Sequence, residues 1–222
     1  MRMFLRAAVV AILLQAVSSG AGVLGRVASC PAAEAGTSSL TVNFFYGELR
    51  PHGEWVHVSP YGKVWRPYRV AKTWRPYTVG RWVFTDYGWT WVSTEPWGWA
   101  CYHYGRWFLD DRYGWVWCPD VVWAPAWVVW RSSPGHIGWA PMPPGMEWRP
   151  GFGIDCRGID FDLLVPHFSF SFVEYRRFLA PDIGVYIVIS SRNREIIRSS
   201  TPFVEIRESS GCVTNRWPAG RG

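Results

Sequence analysis

The fold of this chain is decided by residues 80–93, which read GRWVFTDYGWTWVS. The run WVF at 82–84 consists of residues that favour β-strands, and TDYG at 85–88 supplies turn chemistry, with glycine where φ can be positive. On the return arm Trp89 and Trp91 are two residues apart, so they lie on the same face of a strand. The stretch therefore predicts an antiparallel β-hairpin with tryptophans on both arms.

The same pattern recurs along the chain as a repeat. Tyr-Gly pairs occur at 61–62, 87–88 and 113–114, a spacing of 26 residues, and a more divergent fourth copy covers 127–141. Aromatic residues make up 18% of the chain, which argues against disorder. A lone hairpin is only marginally stable in water, so the units must pack on one another. We therefore predict an all-β domain of four tandem antiparallel, Trp-rich hairpins at residues 44–144.

The first thirty residues predict export. Arg2 and Arg6 precede an apolar run at 7–17, and small residues follow, which is the order found in a secretory signal peptide. The apolar run is too short to span a bilayer. Cleavage is expected near residue 21 or 29, and in the second case the sequence VASC ending at Cys30 resembles a lipobox that would lipidate this cysteine. We expect a periplasmic or cell-surface protein, with an outer-membrane lipoprotein as the alternative to a soluble mature chain.

The segments around the repeats are predicted from composition. No second apolar stretch is long enough to cross a bilayer, so no membrane span is expected in the mature chain. Within the C-terminal part, residues 168–172 and 185–189 predict strands, and residues 191–198 predict a short helix. The predicted order is a signal peptide at 1–29, a flexible linker at 30–43, the repeat domain at 44–144, a Pro/Gly linker at 145–160, a small, partly ordered strand segment at 161–207 and a flexible tail at 208–222.

Four cysteines beyond Cys30 suggest disulfides, because an even number in an exported chain is typical of paired thiols. Cys101 and Cys118 fall in one repeat unit and are the best candidates for a local pair. Cys156 and Cys212 would complete up to two bridges. Buried free thiols are the alternative, since cysteine also packs as a small apolar residue.

The region at 46–144 resembles an uncharacterised family of exported bacterial proteins that is classified only as a domain of unknown function. The resemblance implies export and an all-β core, and it implies no activity, because a fold alone does not fix a function. The four later cysteines depart from the family pattern. The phrases that carry the resemblance are GRWVFTDYGWTWVS at 80–93, EPWGWA at 95–100, YHYGRW at 102–107 and WAPAWVVWR at 123–131, followed by FVEYRRFL at 172–179.

The sequence contains no recognisable catalytic motif. There is no nucleophile elbow, no zinc-protease helix motif and no phosphate loop. Asp110 and Asp111 are adjacent in a turn, whereas a pair of catalytic carboxylates must flank a cleft. Removal of the leader with its three arginines lowers the formal charge from +6 to +3, too weak a charge to predict nucleic-acid binding. The sequence therefore predicts no enzyme, no metal and no cofactor. The histidines, which show no metal-ligand spacing, are His52, His57, His103, His136 and His167.

Two functional hypotheses remain. In the first, the repeats form a structural or assembly module that contacts another envelope protein. In the second, exposed aromatic rows bind a cell-wall glycan or a choline-type ligand, because aromatic faces stack on sugar rings and enclose quaternary ammonium groups. Burial of the rings would favour the first hypothesis. The candidate binding residues are Trp82, Trp89, Trp91, Trp107, Trp115, Trp117, Tyr87 and Tyr113.

Overall fold

A computed structural model describes residues 41–154, 158–209 and 211–215. The predicted all-β hairpin fold is confirmed, because each repeat forms one antiparallel hairpin. The first two pairs are β1 (Gly53–Val58) with β2 (Gly62–Pro67) and β3 (Gly80–Thr85) with β4 (Gly88–Ser93). The other two are β5 (Arg106–Asp110) with β6 (Gly114–Cys118) and β7 (Val128–Ser132) with β8 (His136–Pro141).

Each hairpin places one tryptophan of the outgoing strand directly opposite one of the returning strand. Directly opposed side chains are close neighbours on one sheet face, so each pair is a local unit of apolar burial. The four pairs are Trp55 with Trp65, Trp82 with Trp91, Trp107 with Trp117, and Trp130 with Trp139.

The glycine two residues before the first tryptophan explains the Gly-x-Trp part of the repeat. At Gly53, Gly80 and Gly105 a Cβ atom would lie within 3.0 Å of the ring of the second tryptophan of the same hairpin. It would also collide with a backbone carbonyl oxygen of the returning strand. Only glycine leaves room for the indole ring to lie over the start of the outgoing strand.

The hairpins assemble into sheets with help from the C-terminal part of the chain. The first and third hairpins join in the order β1-β2-β6-β5, where Trp65 pairs with Trp117. The fourth hairpin is flanked by β11 (Ser171–Glu174) and β12 (Thr201–Phe203), in the order β11-β8-β7-β12. The second hairpin forms a sheet in the order β13-β14-β4-β3, with β13 (Ile206–Ser209) antiparallel to β14 (Cys212–Asn215).

The main core lies where the tryptophan pairs of all four hairpins meet. Nearly all of these rings are buried, and they contact one another edge-on or tilted, as in the 4.6 Å contact between Trp82 and Trp130. A second apolar cluster around Trp127, Phe170 and Phe172 joins the fourth hairpin to the C-terminal part. The C-terminal part is therefore integral to the packing of the repeats.

Short helices interrupt the β-structure where the sequence predicted strands or linkers. Helix α1 (Val42–Leu49) covers the last two residues of the predicted linker and the start of the predicted hairpin region, and its Phe45 and Leu49, four residues apart, both face the core. Helix α2 (Gly98–Cys101) connects the second and third hairpins. The remaining α-helices are α3 (Phe161–Leu164) and α4 (Asn193–Arg198), and 3₁₀ turns cover His167–Ser169, Tyr175–Arg177, Ile183–Tyr186 and Ser190–Arg192.

Several predictions for the C-terminal part are wrong, while the short helix near 191–198 is present as α4. The strand predicted at 168–172 begins only at Ser171, and the one predicted at 185–189 is replaced by the 3₁₀ turn Ile183–Tyr186. Val185 and Ile189 are both 69% exposed. Only the middle residues of this apolar run, Ile187 and Val188, pack against the core clusters.

The predicted Pro/Gly linker and the predicted flexible tail also contain strands. The predicted linker at 145–160 holds β9 (Trp148–Arg149) paired with β10 (Gly153–Ile154). The predicted tail at 208–222 includes β14, whose backbone pairs with β4 and whose Asn215 is fully buried. The structure describes neither residues 1–40, which contain the predicted signal peptide and Cys30, nor residues 155–157 and 216–222. No helix within the described residues has the length and apolarity that a membrane crossing requires.

Candidate ligand-binding groove

The predicted aromatic platform does not exist as an exposed row. Trp82, Trp91, Trp107 and Trp117 are at most 2% exposed and belong to the main core. The two tryptophans of each pair lie on the same face of their hairpin, and this face packs against the neighbouring hairpins. These four rings are therefore not available to a ligand from outside.

The other four predicted residues are half-buried and lie in different surroundings. Tyr87 packs edge-on against Trp123, with ring centroids 5.0 Å apart. Trp89 packs edge-on against Phe178 at 4.8 Å. Tyr113 and Trp115, both in or beside the third hairpin, line one concave site.

This site is an open groove between the third hairpin and the link that follows the first hairpin. Its volume of about 580 Å³ falls within the range of small-molecule sites, roughly 300–1,000 Å³. Residues 66–67 and 70–75 form one wall, and the opposite wall comes from residues 109 and 113–115. Phe168 and Ser190 complete the lining. The aromatic and charged lining residues are Trp74, Tyr113, Trp115, Phe168, Arg66, Lys72 and Arg75.

Trp74 is held firmly at the wall that the link provides. Its Nε1 donates a hydrogen bond of 2.8 Å to Glu95 Oε1, and its ring packs edge-on against Trp97 and Trp107. Glu95 also accepts a hydrogen bond from the Tyr102 hydroxyl. Burial raises the pKa of Glu95, while its hydrogen bonds partly oppose this shift.

The end of the link is anchored by Tyr77, which adopts a positive φ of 61°. Its hydroxyl donates to the Tyr102 carbonyl at 2.9 Å and accepts from the Trp127 backbone N–H at 3.1 Å. Its carbonyl oxygen accepts from Trp139 Nε1 at 2.8 Å. The left-handed conformation costs roughly 1–2 kcal/mol, and these buried bonds hold it in place. The wall that carries Trp74 is thus pre-organised before any ligand arrives.

The groove is positively charged. It is lined by Arg66, Lys72 and Arg75, and no Asp or Glu is among its lining residues. Arg66 forms an ion pair with Glu54, and its guanidinium lies 5.6 Å from the centre of the Tyr113 ring. Lys72 is exposed.

Arg75 is the most unusual of these cations. Its Nη2 donates to Ser171 Oγ at 3.2 Å, whereas its buried Nε has no hydrogen-bond partner. Burial lowers the pKa of Arg75 from its ordinary value. The Arg75 guanidinium therefore adds positive charge to the wall of the groove, while its Nε itself is enclosed by protein atoms.

Polar groups buried elsewhere serve the packing. Burial lowers the pKa of His103 to about 4, and its Nδ1 lies 3.0 Å from the Ala124 carbonyl oxygen. The Arg106 guanidinium lies 3.5 Å from the centre of the Trp127 ring, and burial lowers its pKa to about 10. Among the described residues, no three His, Cys, Asp or Glu side chains gather in a group able to hold a metal ion.

The predicted local disulfide between Cys101 and Cys118 is not formed, because both residues are free thiols. Cys101 ends helix α2 and is buried in the aromatic core, whereas Cys118 ends β6 and is half-buried. Burial raises the pKa of both thiols. Cys212 is buried at the start of β14, and Cys156 lies outside the described residues, so a bridge that involves Cys156 stays a prediction.

Sequence reasoning missed the link residues Trp74, Lys72 and Arg75. The sequence holds a signal for them in the repeated phrase WRPY, at 65–68 and 74–77, where an arginine follows a tryptophan. This signal does not reveal that the link approaches the third hairpin, since about forty residues separate the two walls along the chain.

Comparison with known proteins finds a family-model match over part of the chain. No curated protein and no solved structure matches the chain. The model of a family of unknown function, DUF6600, matches residues 46–146, close to the region over which the resemblance was expected. Residues 46–146 of this chain are therefore similar to this family of unknown function.

Proposed function

We propose that this chain is a non-enzymatic interaction module of the cell envelope, in which the tryptophan repeats build a rigid scaffold. The observation that carries the proposal is the burial of the opposed tryptophan pairs, of which seven rings out of eight are at most 2% exposed. Aromatic rings that meet in a core stabilise the fold and leave the surface loops and grooves to make contacts.

The residues that the repeats share favour a scaffold rather than a repeated active site. The repeated elements are the glycines and the tryptophans, which serve close packing. The residue between them is Glu54, then Arg81, then Arg106, so its charge changes from copy to copy. A reaction or a repeated binding site would require the same chemistry in each copy.

A pair of tryptophan variants tests the scaffold. Replacement of the buried Trp91 by alanine should cost about 3–5 kcal/mol, whereas the half-buried Trp115→Ala should cost less. Urea unfolding measures both losses. A Trp91→Ala protein with unchanged stability would contradict the scaffold role of the pairs.

The proposed location depends on the N-terminal sequence. Expression of the full chain in a Gram-negative bacterium, followed by fractionation and mass spectrometry of the mature N-terminus, tests it. The expected product begins near Gly22 or carries a diacylglyceryl group on Cys30. A chain that retains residues 1–29 and stays in the cytoplasm would contradict an envelope role.

A further inference from the structure

We propose that the groove between residues 66–75 and the third hairpin binds an acidic sugar chain, with carboxylated hexoses as its ligand class. This inference rests on the proposed function, because it makes the groove the contact surface of a non-enzymatic envelope module. It also moves the binding site away from the buried faces of the repeats.

The aromatic residues of the groove suit sugar rings. Trp74, Tyr113 and Trp115 are each half-buried, so each keeps part of its ring accessible. The C–H face of a hexose is apolar and flat, and it stacks on such rings while its hydroxyls remain in water. The fixed position of Trp74 lowers the entropy that binding would cost.

The cations of the groove select the charge of the sugar. Arginine pairs well with carboxylates, and the Arg75 guanidinium is a positive charge at the wall of a groove that no carboxylate lines. Lys72 adds a solvent-exposed positive charge on the same wall. A carboxylate on the sugar would pair with the positive charges of Arg75 and Lys72.

The same charges disfavour the choline-type alternative. A quaternary ammonium group needs an aromatic site without excess positive charge. This groove carries Lys72 and Arg75 besides the ion-paired Arg66, and no carboxylate lines it. Nucleic acid is also disfavoured, because phosphate-backbone binding depends on many distributed cations and the chain without its predicted leader carries a formal charge of +3.

The structure offers matched controls for each wall of the groove. Trp89 follows the turn glycine of the second hairpin just as Trp115 follows that of the third, and both rings are half-buried. Arg81 is an exposed cation on the second hairpin, away from the lining residues. The pairs Trp115→Ala with Trp89→Ala, and Lys72→Glu with Arg81→Glu, thus separate the groove from general surface effects.

Isothermal titration of the mature full chain with a galacturonate oligomer tests the proposal, with a neutral glucose oligomer of equal length as the comparison. The acidic oligomer should bind at least about tenfold more tightly than the neutral one, and added salt should weaken its binding. Lys72→Glu and Trp115→Ala should each weaken binding by about tenfold. Arg81→Glu and Trp89→Ala should bind like the unmodified protein.

Several results would overturn the groove assignment. They are equal affinity for the acidic and neutral oligomers, equal losses in the groove and control variants, or tighter binding of a single-stranded oligonucleotide. Lys72 is exposed, so its variant remains informative if Trp115→Ala fails to fold, which circular dichroism would reveal. Chromatography of the oligomer after incubation distinguishes the non-enzymatic role from the groove assignment. Shortened oligomers would refute the non-enzymatic role without affecting the binding result. Absence of binding would refute only the assignment of the groove as the sugar site.

Discussion

Replacement of Gly105 by alanine should destabilise the fold far more than the same replacement at Gly114. Both glycines adopt a positive φ, 65° at Gly105 and 72° at Gly114. An added Cβ at Gly114 would meet nothing within 4 Å, whereas at Gly105 it would lie 2.7 Å from Trp117 Nε1 and closer still to the Cys118 carbonyl oxygen. The two variants therefore share the conformational cost and differ in the collision.

The magnitude follows from three contributions. A left-handed alanine costs roughly 1–2 kcal/mol, of which the reduced freedom of the unfolded chain offsets about half, so Gly114→Ala should lose about 1 kcal/mol. Overpacking at Gly105 adds about 1–3 kcal/mol. Displacement of Trp117 would also strain its 2.7 Å hydrogen bond to the Tyr104 carbonyl, worth about 1 kcal/mol. Gly105→Ala should therefore lose about 3–5 kcal/mol.

Urea unfolding followed by tryptophan fluorescence measures both losses, with the free energy of unfolding extrapolated to water. The expected difference between the variants is about 2–4 kcal/mol. Equal losses at the two positions would show that glycine is required there only for its backbone conformation. The explanation of the Gly-x-Trp pattern by ring packing would then be wrong.

Three further predictions concern buried groups outside the groove. Because burial lowers the pKa of His103 to about 4, this histidine is protonated at a higher pH in the unfolded chain than in the folded chain. Its stabilising contribution is complete above pH about 6.5 and is lost toward pH 4, so stability measured across this range should fall by about 3 kcal/mol more than in His103→Gln. Equal pH profiles would refute this. Cys101 is 1% exposed and burial raises its pKa, so iodoacetamide should modify it only after urea unfolds the chain, as mass spectrometry of the labelled peptides would show. Rapid labelling of the native protein would contradict its place in the core. Asn215→Ala removes the 3.1 Å hydrogen bond from Trp130 Nε1 and should cost about 1–2 kcal/mol in urea unfolding. An unchanged stability would mean that β14 adds little to the fold.

The chemistry of the groove was only partly predictable. Trp115 and Tyr113 were identified from the repeat pattern, and they do lie beside a concave site. The repeat could not distinguish Trp115 from Trp117, because both have the strand spacing of one face. Trp117 is buried because Phe45 of helix α1 and Trp55 of the first hairpin pack against its ring, and these contacts come from distant parts of the chain.

Local chemistry in the sequence was enough to determine the four hairpins. Turn glycines with positive φ, strand-forming aromatic runs and the period of two act over a few residues, so they can be recognised without knowledge of the rest of the chain. The positions of Gly62, Gly88 and Gly114, each the first residue of a returning strand, follow from this chemistry.

The tertiary structure alone decided which hairpins share a sheet, where the C-terminal strands lie and where a groove opens. These features depend on contacts between residues far apart in the chain, such as Trp65 with Trp117 and Asn215 with Gly88. Many pairings of similar Trp-rich strands satisfy the same local pattern, and the choice among them depends on how the complete set of rings fills one core. That choice placed the basic link opposite the third hairpin, and therefore the candidate site could be located only in three dimensions.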